Sequence, residues 1–167
     1  YKAYLATLLE AAGYDEPAAA AARVYALETE IATAHWDRTV GRNRNLTYNK
    51  MSRDELIALG GEFPIELMLS EIGLGGQTEF VVRQVTPTAD EIAENGLTDE
   101  QVAKISGGGV AGLFAVAGTA DLDDWKAYLS AHFLSDHASV LPAAIDDATF
   151  EFFGKTLRGQ EEQRERW

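Results

Sequence analysis

The 167 residues carry 27 acidic against 14 basic side chains, a formal net charge of −13, and are 46% hydrophobic and 25% charged. That length suits one domain with a sizeable core, while the acidic balance repels phosphate backbones and anionic lipid headgroups and so argues against nucleic acid and membrane-surface partners. The absence of cysteine excludes thiol catalysis, disulfide frameworks and thiolate zinc sites without fixing a compartment.

Tyr1 to Ala12 reads as a short helix with Tyr4, Leu5, Leu8 and Leu9 on one side and Gly13 as its stop. Pro17 suits a first helical position, and Val24, Leu27, Ile31 and Ala34 keep helical spacing to about Trp36. A loop from Asp37 to Met51, rich in Arg and Asn, follows. Ser52 and Glu55 form a capping box that opens a helix ending at Gly60. Pro64 starts another, through Leu67, Met68 and Ile72 to Gly73. Glu79 to Val85 is the strand candidate, with Phe80, Val81 and Val82. A second capping box, Thr98 with Gln101, predicts a helix over Asp99 to Ile105. Ser106 to Gly118 is Gly-rich and apolar and reads as a flexible or tightly turning loop. Asp121 with Asp124 caps a long helix whose apolar face is Leu122, Trp125, Leu129, Phe133 and Val140, with Trp125 as core anchor. Pro142 breaks or restarts it. Ile145, Thr149, Phe152 and Thr156 continue a helical stripe with Gly154 near its end, and Gly159 to Arg166 is a polar tail. No internal repeat, signal peptide or membrane-span-length apolar stretch is visible. The whole of 1–167 reads as one mainly α domain, a multi-helix lobe with one short strand or hairpin.

Residues that could carry chemistry are few. A helical zinc site needs two His at i and i+4, so that both imidazoles reach one metal. The three histidines are His35, His132 and His137, and the last two lie five apart, on different faces of a helix, which fits packing or capping better. Ser130, Ser135, Asp136, His137 and Ser139 spell the ingredients of a nucleophilic triad, but a triad is a three-dimensional arrangement, and a polar helix face explains them as well. The neighbours Asp123–Asp124 and Asp146–Asp147 do not face each other on a helix; the first pair suits a helix N-terminus and the second a solvated face. Gly107, Gly109 and Gly112 match G-x-G-x-x-G literally, yet a helix is predicted before them where a dinucleotide site needs a strand. Asn45-Leu46-Thr47 spells a glycosylation sequon. Arg38, Arg42, Arg44, Lys50 and Arg53 form the one basic cluster, suited to solvated helix capping or to an anion. No catalytic or metal-ligating residue emerges, no cofactor is expected in this stretch, and substrate-binding residues stay open.

The order of short motifs says more. Ala26-Leu27-Glu28-Thr29-Glu30-Ile31-Ala32 is followed by Trp36 and Arg38, then by Thr47-Tyr48-Asn49-Lys50-Met51-Ser52 leading into Glu55-Leu56. Leu74-Gly75-Gly76 precedes Val81-Val82, and Asp121-Leu122-Asp123-Asp124-Trp125-Lys126-Ala127-Tyr128-Leu129 follows. Phe152-Phe153-Gly154-Lys155-Thr156-Leu157, Gly159-Gln160 and Arg164-Glu165-Arg166-Trp167 close the series. From about residue 20 onward the chain resembles the N-terminal region of the neprilysin and endothelin-converting-enzyme family of zinc metallopeptidases. The resemblance implies two mainly helical lobes, the catalytic one carrying an H-E-x-x-H zinc helix C-terminal to this stretch. It also implies that the lobe matched here covers the active-site cavity of an enzyme acting on peptides. No catalytic residue carries over, because none of the matching positions is one. Zinc in the parent protein, the C-terminal catalytic lobe and peptide substrates are the implied cofactor and partners.

Two features depart from the family pattern. Thr86 to Ala120 is longer and more Gly-rich than usual, and the disulfides of vertebrate members are absent. The likeness is to a bacterial member, which implies export or a lipid anchor at the cell envelope. The chain opens inside a predicted helix and closes after a charged run, so both ends read as cuts in a longer protein. The competing expectation is a free-standing helical protein-binding module with no enzymatic parent, which an H-E-x-x-H helix downstream would exclude.

Overall fold

The computed structural model describes residues 1–163, so the Arg164-Glu165-Arg166-Trp167 motif lies outside the described residues. The elements run α1 (Lys2–Ala11), α2 (Pro17–Ala34), α3 (Arg44–Thr47), β1 (Asn49–Ser52), α4 (Arg53–Leu59), α5 (Ile65–Glu71), β2 (Glu79–Val82), α6 (Ala89–Glu94), α7 (Asp99–Ala103), α8 (Gly109–Thr119), α9 (Leu122–Asp136) and α10 (Ala143–Thr149). Short 3-10 turns occupy Val40–Arg42 and Ala138–Val140, and a π-helical turn spans Phe150–Thr156. Among the described residues the fold is mainly α with one antiparallel hairpin, as the sequence predicts. Two compact units divide the chain. The first combines Tyr1–Glu28 with the segment from Asp121 onward, and the second is Thr29–Ala120.

In the first unit, α1 buries Tyr4, Leu5, Leu8 and Leu9. Gly13, at φ +84°, ends it in a left-handed turn that a side chain would strain. Pro17 is the first residue of α2. Leu5 and Leu9 pack with Ala20, Ala21 and Val24 of α2 and with Ala127 and Ala131 of α9. Tyr4 and Leu8 close a second cluster with Ala138 and Ile145, flanked by Leu134 and Phe152. The cap of α9 is Asp121, whose Oδ1 accepts from the Asp123 amide at 2.7 Å.

The predicted face of α9 is corrected. Leu122, Leu129, Phe133 and Val140 are 67%, 61%, 57% and 79% exposed, and the buried residues are Ala127 and Ala131. Trp125 is half-buried, edge-on to Tyr128 with ring centroids 5.5 Å apart, and is no core anchor. Periodicity finds an apolar stripe but not the side from which its neighbours approach. Here alanines let α1 and α2 come close, and that proximity decides the inner face.

The second unit begins in the last turns of α2. The hairpin pairs Asn49 with Val82, Lys50 with Val81, Met51 with Phe80 and Ser52 with Glu79. β1 thus lies at the end of the predicted Asp37–Met51 loop, which also holds α3. The strand is short and reads as polar, so it depends on its partner rather than on its own pattern. The boxes at Ser52–Glu55 and Thr98–Gln101 form as predicted, and a third, Thr88–Glu91, opens α6. β2 ends at Val82 rather than Val85, because Gln84 adopts φ 58°. Ser106 to Gly118 is not a loop: most of it is α8. Leu56, Ile65 and Leu69 pack with Phe80, Val82 and Phe114, while Trp36, Val40, Leu46 and Ile105 form a separate core.

Candidate functional site

The histidines engage separate partners. His35 Nδ1 lies 3.3 Å from Gln84 Oε1, His132 Nε2 lies 2.9 Å from Glu28 Oε1, and His137 Nδ1 lies 2.9 Å from the Phe133 carbonyl. Among the described residues no group of three or more His, Asp or Glu side chains could hold a metal. These residues therefore do not fit a zinc site.

The serine-rich face of α9 is structural. Ser135 Oγ accepts from the Tyr4 hydroxyl at 2.8 Å, and Ser130 Oγ lies 3.4 Å from the Tyr14 hydroxyl. His137 Nδ1 turns to the Phe133 carbonyl of its own helix. Tyr1 donates to Glu28 Oε1 at 2.6 Å, the same oxygen that His132 approaches. Burial, then this hydrogen bond, pushes the Tyr1 phenol well above its ordinary value. Together these contacts hold α1, α2 and α9 at fixed rotation.

The three glycines of the G-x-G-x-x-G motif answer to packing. A Cβ on Gly107 would stand 1.8 Å from the Thr33 carbonyl oxygen, one on Gly109 would stand 1.9 Å from the Gln84 carbonyl oxygen, and one on Gly112 would stand 2.4 Å from the Gly107 oxygen. α7, not a strand, precedes them, and the Val110 amide at the start of α8 donates to Gln84 O at 2.9 Å. That amide is spent within the protein instead of facing a phosphate. Gln84 is the hub here. Its backbone is strained at φ 58°, its carbonyl holds α8, and its Oε1 accepts from the Trp36 amide at 2.9 Å. Nothing in the sequence pattern flags it.

The basic cluster divides. Lys50 pairs with Glu79 across the hairpin at 2.7 Å, and Arg53 donates to the Gly75 carbonyl at 2.5 Å. Arg38 and Arg42 instead share a cleft of about 290 Å³ with Trp36, Asp37 and Arg83, a residue outside the predicted cluster. The Thr39 hydroxyl and amide both donate to Asp37, which holds its carboxyl below the ordinary range and keeps one negative charge among the three guanidiniums. Leu46 of the sequon is buried within α3. Asp146 accepts from Gln163 Nε2 at 2.8 Å, and Asp123 pairs with Lys126 at 2.8 Å.

The N-terminal model of peptidase family M13 matches residues 1–167. The chain is also similar to two solved structures of the Mycobacterium tuberculosis zinc metalloprotease Zmp1, one a cryo-electron microscopy structure in an open state and one a crystal structure in complex with an inhibitor. Each match has 26% sequence identity and a TM-score of 0.75 and covers 100% of this chain and 23% of Zmp1. The chain thus spans about a quarter of the length of that protease. No curated protein sequence matches it. On the full-length match, and in agreement with the motif order, the chain belongs to peptidase family M13, the neprilysin family of zinc metallopeptidases.

Proposed function

We propose that residues 1–167 are a non-catalytic segment of the N-terminal lobe of a neprilysin-like zinc metalloendopeptidase, and that the segment walls off the active-site cavity and limits substrates to peptides. The supporting observation is the match of the whole chain to the N-terminal part of family M13. The partner is the C-terminal catalytic lobe of the same polypeptide. Zinc bound there would supply an activated water for attack on a peptide carbonyl. The residues described here supply none of its ligands. Their part is steric: helices joined at Gly- and Pro-marked turns form a wall, and closing it would exclude water from the cavity. Zmp1 has been captured in an open state, which favours a lobe that moves. The net charge of −13 would repel long acidic substrates, an effect that salt screens. An extracytoplasmic location, periplasmic or anchored at the cell envelope, completes the proposal.

The test uses the full-length parent. It is expected to cleave short peptides and spare folded proteins. Ser130→Gly, which loosens α9 by roughly 0.5 kcal/mol, is expected to admit larger substrates and slow the cleavage of small ones. Equal digestion of folded proteins and short peptides by the unmodified parent would sink the steric reading.

A further inference from the structure

α9 fully buries only the small Ala127 and Ala131, with Tyr128 and Leu134 half-buried beside them, and carries Leu122, Leu129 and Phe133 outside. Ala127 and Ala131 are 0% and 1% exposed against α1 and α2, while Leu122, Leu129 and Phe133 are 67%, 61% and 57% exposed. At roughly 100° per residue, Leu122, Leu129 and Phe133 fall within about 20° of one line along the helix, and Ala131 falls opposite. Scattered exposed leucines are ordinary, but a continuous stripe along one helix is the pattern of an interaction face. On one flank the charge of Lys126 is matched within the helix, its Nζ lying 2.8 Å from Asp123 Oδ1, and on the other only the exposed Asp136 stands near the stripe. The face therefore calls for an apolar partner and not an ionic one.

We infer that the Leu122–Leu129–Phe133 face docks against an apolar surface of the same polypeptide outside residues 1–167, making α9 the middle layer of a three-layer packing. The inference rests on the proposed peptidase parent. The occupant follows from length: this chain covers 23% of Zmp1, so about three-quarters of such a protein remains to supply the covering layer. A helix serving only the unit described here would gain by carrying its large side chains inward. The alanine face instead keeps α1 and α2 close and leaves the bulky face for a second contact.

The experiment places a photo-crosslinker at the face in the full-length parent, as Phe133→p-benzoylphenylalanine and separately as Leu129→p-benzoylphenylalanine, with mass spectrometry of the products. Crosslinks within one molecule to residues outside 1–167 are expected from both positions. Crosslinks that join two copies would assign the face to a homodimer and overturn the inference. So would crosslinks confined to residues 1–167, or none at all. The readout does not depend on peptidase activity. A parent that gives the crosslink but lacks size selection keeps this interface and loses the steric reading, whereas size selection without the crosslink has the opposite meaning.

Discussion

Gly109 shows how far one missing side chain reaches. Its φ of +56° and the 1.9 Å from an added Cβ to the Gln84 carbonyl oxygen leave room for no other residue. Gly109→Ala is expected to cost about 2 kcal/mol or more from left-handed strain and displacement of Gln84, read as a lower melting temperature, with no saturable NAD or ATP binding before or after the change. Trp125 and Ala131 exchange the importance their sizes suggest. A half-buried Trp125 in an edge-on pair should cost only about 1 kcal/mol as Trp125→Ala, against the roughly 3–5 kcal/mol of a buried anchor. Ala131→Leu, forced into the contact with α1 and α2, should cost about 1–3 kcal/mol or more. Denaturant melts of the two variants decide the order. If Trp125→Ala proves the more damaging, the packing described for α9 is wrong.

At the scale of elements, the sequence is most legible where backbone groups are satisfied locally. Ser52–Glu55 and Thr98–Gln101 announce their helices because both halves of the box lie three residues apart. Thr88–Glu91 carries the same signal and marks α6, which the periodicity alone does not reveal. β1 is illegible because its stability comes from Val81 and Val82 on a distant strand. α8 is disguised by glycines that its neighbours, not its own propensity, require. The five-residue spacing of His132 and His137 already separates their partners, whereas the division of the basic cluster is not legible, since it depends on Arg83 arriving from beyond β2.

The boxes also set a pH dependence. Hydrogen bonds from Ser52 to Glu55 and from Thr88 to Glu91 lower both carboxyls below their ordinary 4.5. Their contribution is therefore fully present above that value and is lost as pH falls through the lower folded values. Protection factors of α4 and α6 amides, taken relative to the intrinsic exchange rate, should fall as pH drops below the ordinary 4.5. Thr88→Ala, costing about 1 kcal/mol, should remove the acid-dependent part in α6 and leave that of α4 intact. Identical acid profiles for the variant and the original chain would discount the box.

For the whole molecule, the division into units predicts unequal dependence on the C-terminal third. Ending the chain at Ala120 removes α9 and α10, which supply Ala127, Ala131 and Ile145 to the cores around α1. Exchange protection should then disappear from Leu5, Leu8 and Leu9 while it survives around Leu56, Ile65 and Leu69, whose partners all lie within 29–120. Uniform loss over both regions would show that the units fold only together.

The same division gives the two units different histories during synthesis. The unit from Thr29 to Ala120 has all its residues as soon as its last helix leaves the ribosome. α1 emerges before that unit and is completed after it, since Leu5 and Leu9 wait for Ala127 and Ala131. At roughly 5–20 residues per second, that wait is on the order of ten seconds. Throughout it the apolar stripe of α1 stands bare on the nascent chain, a binding site for chaperones that the finished fold no longer displays.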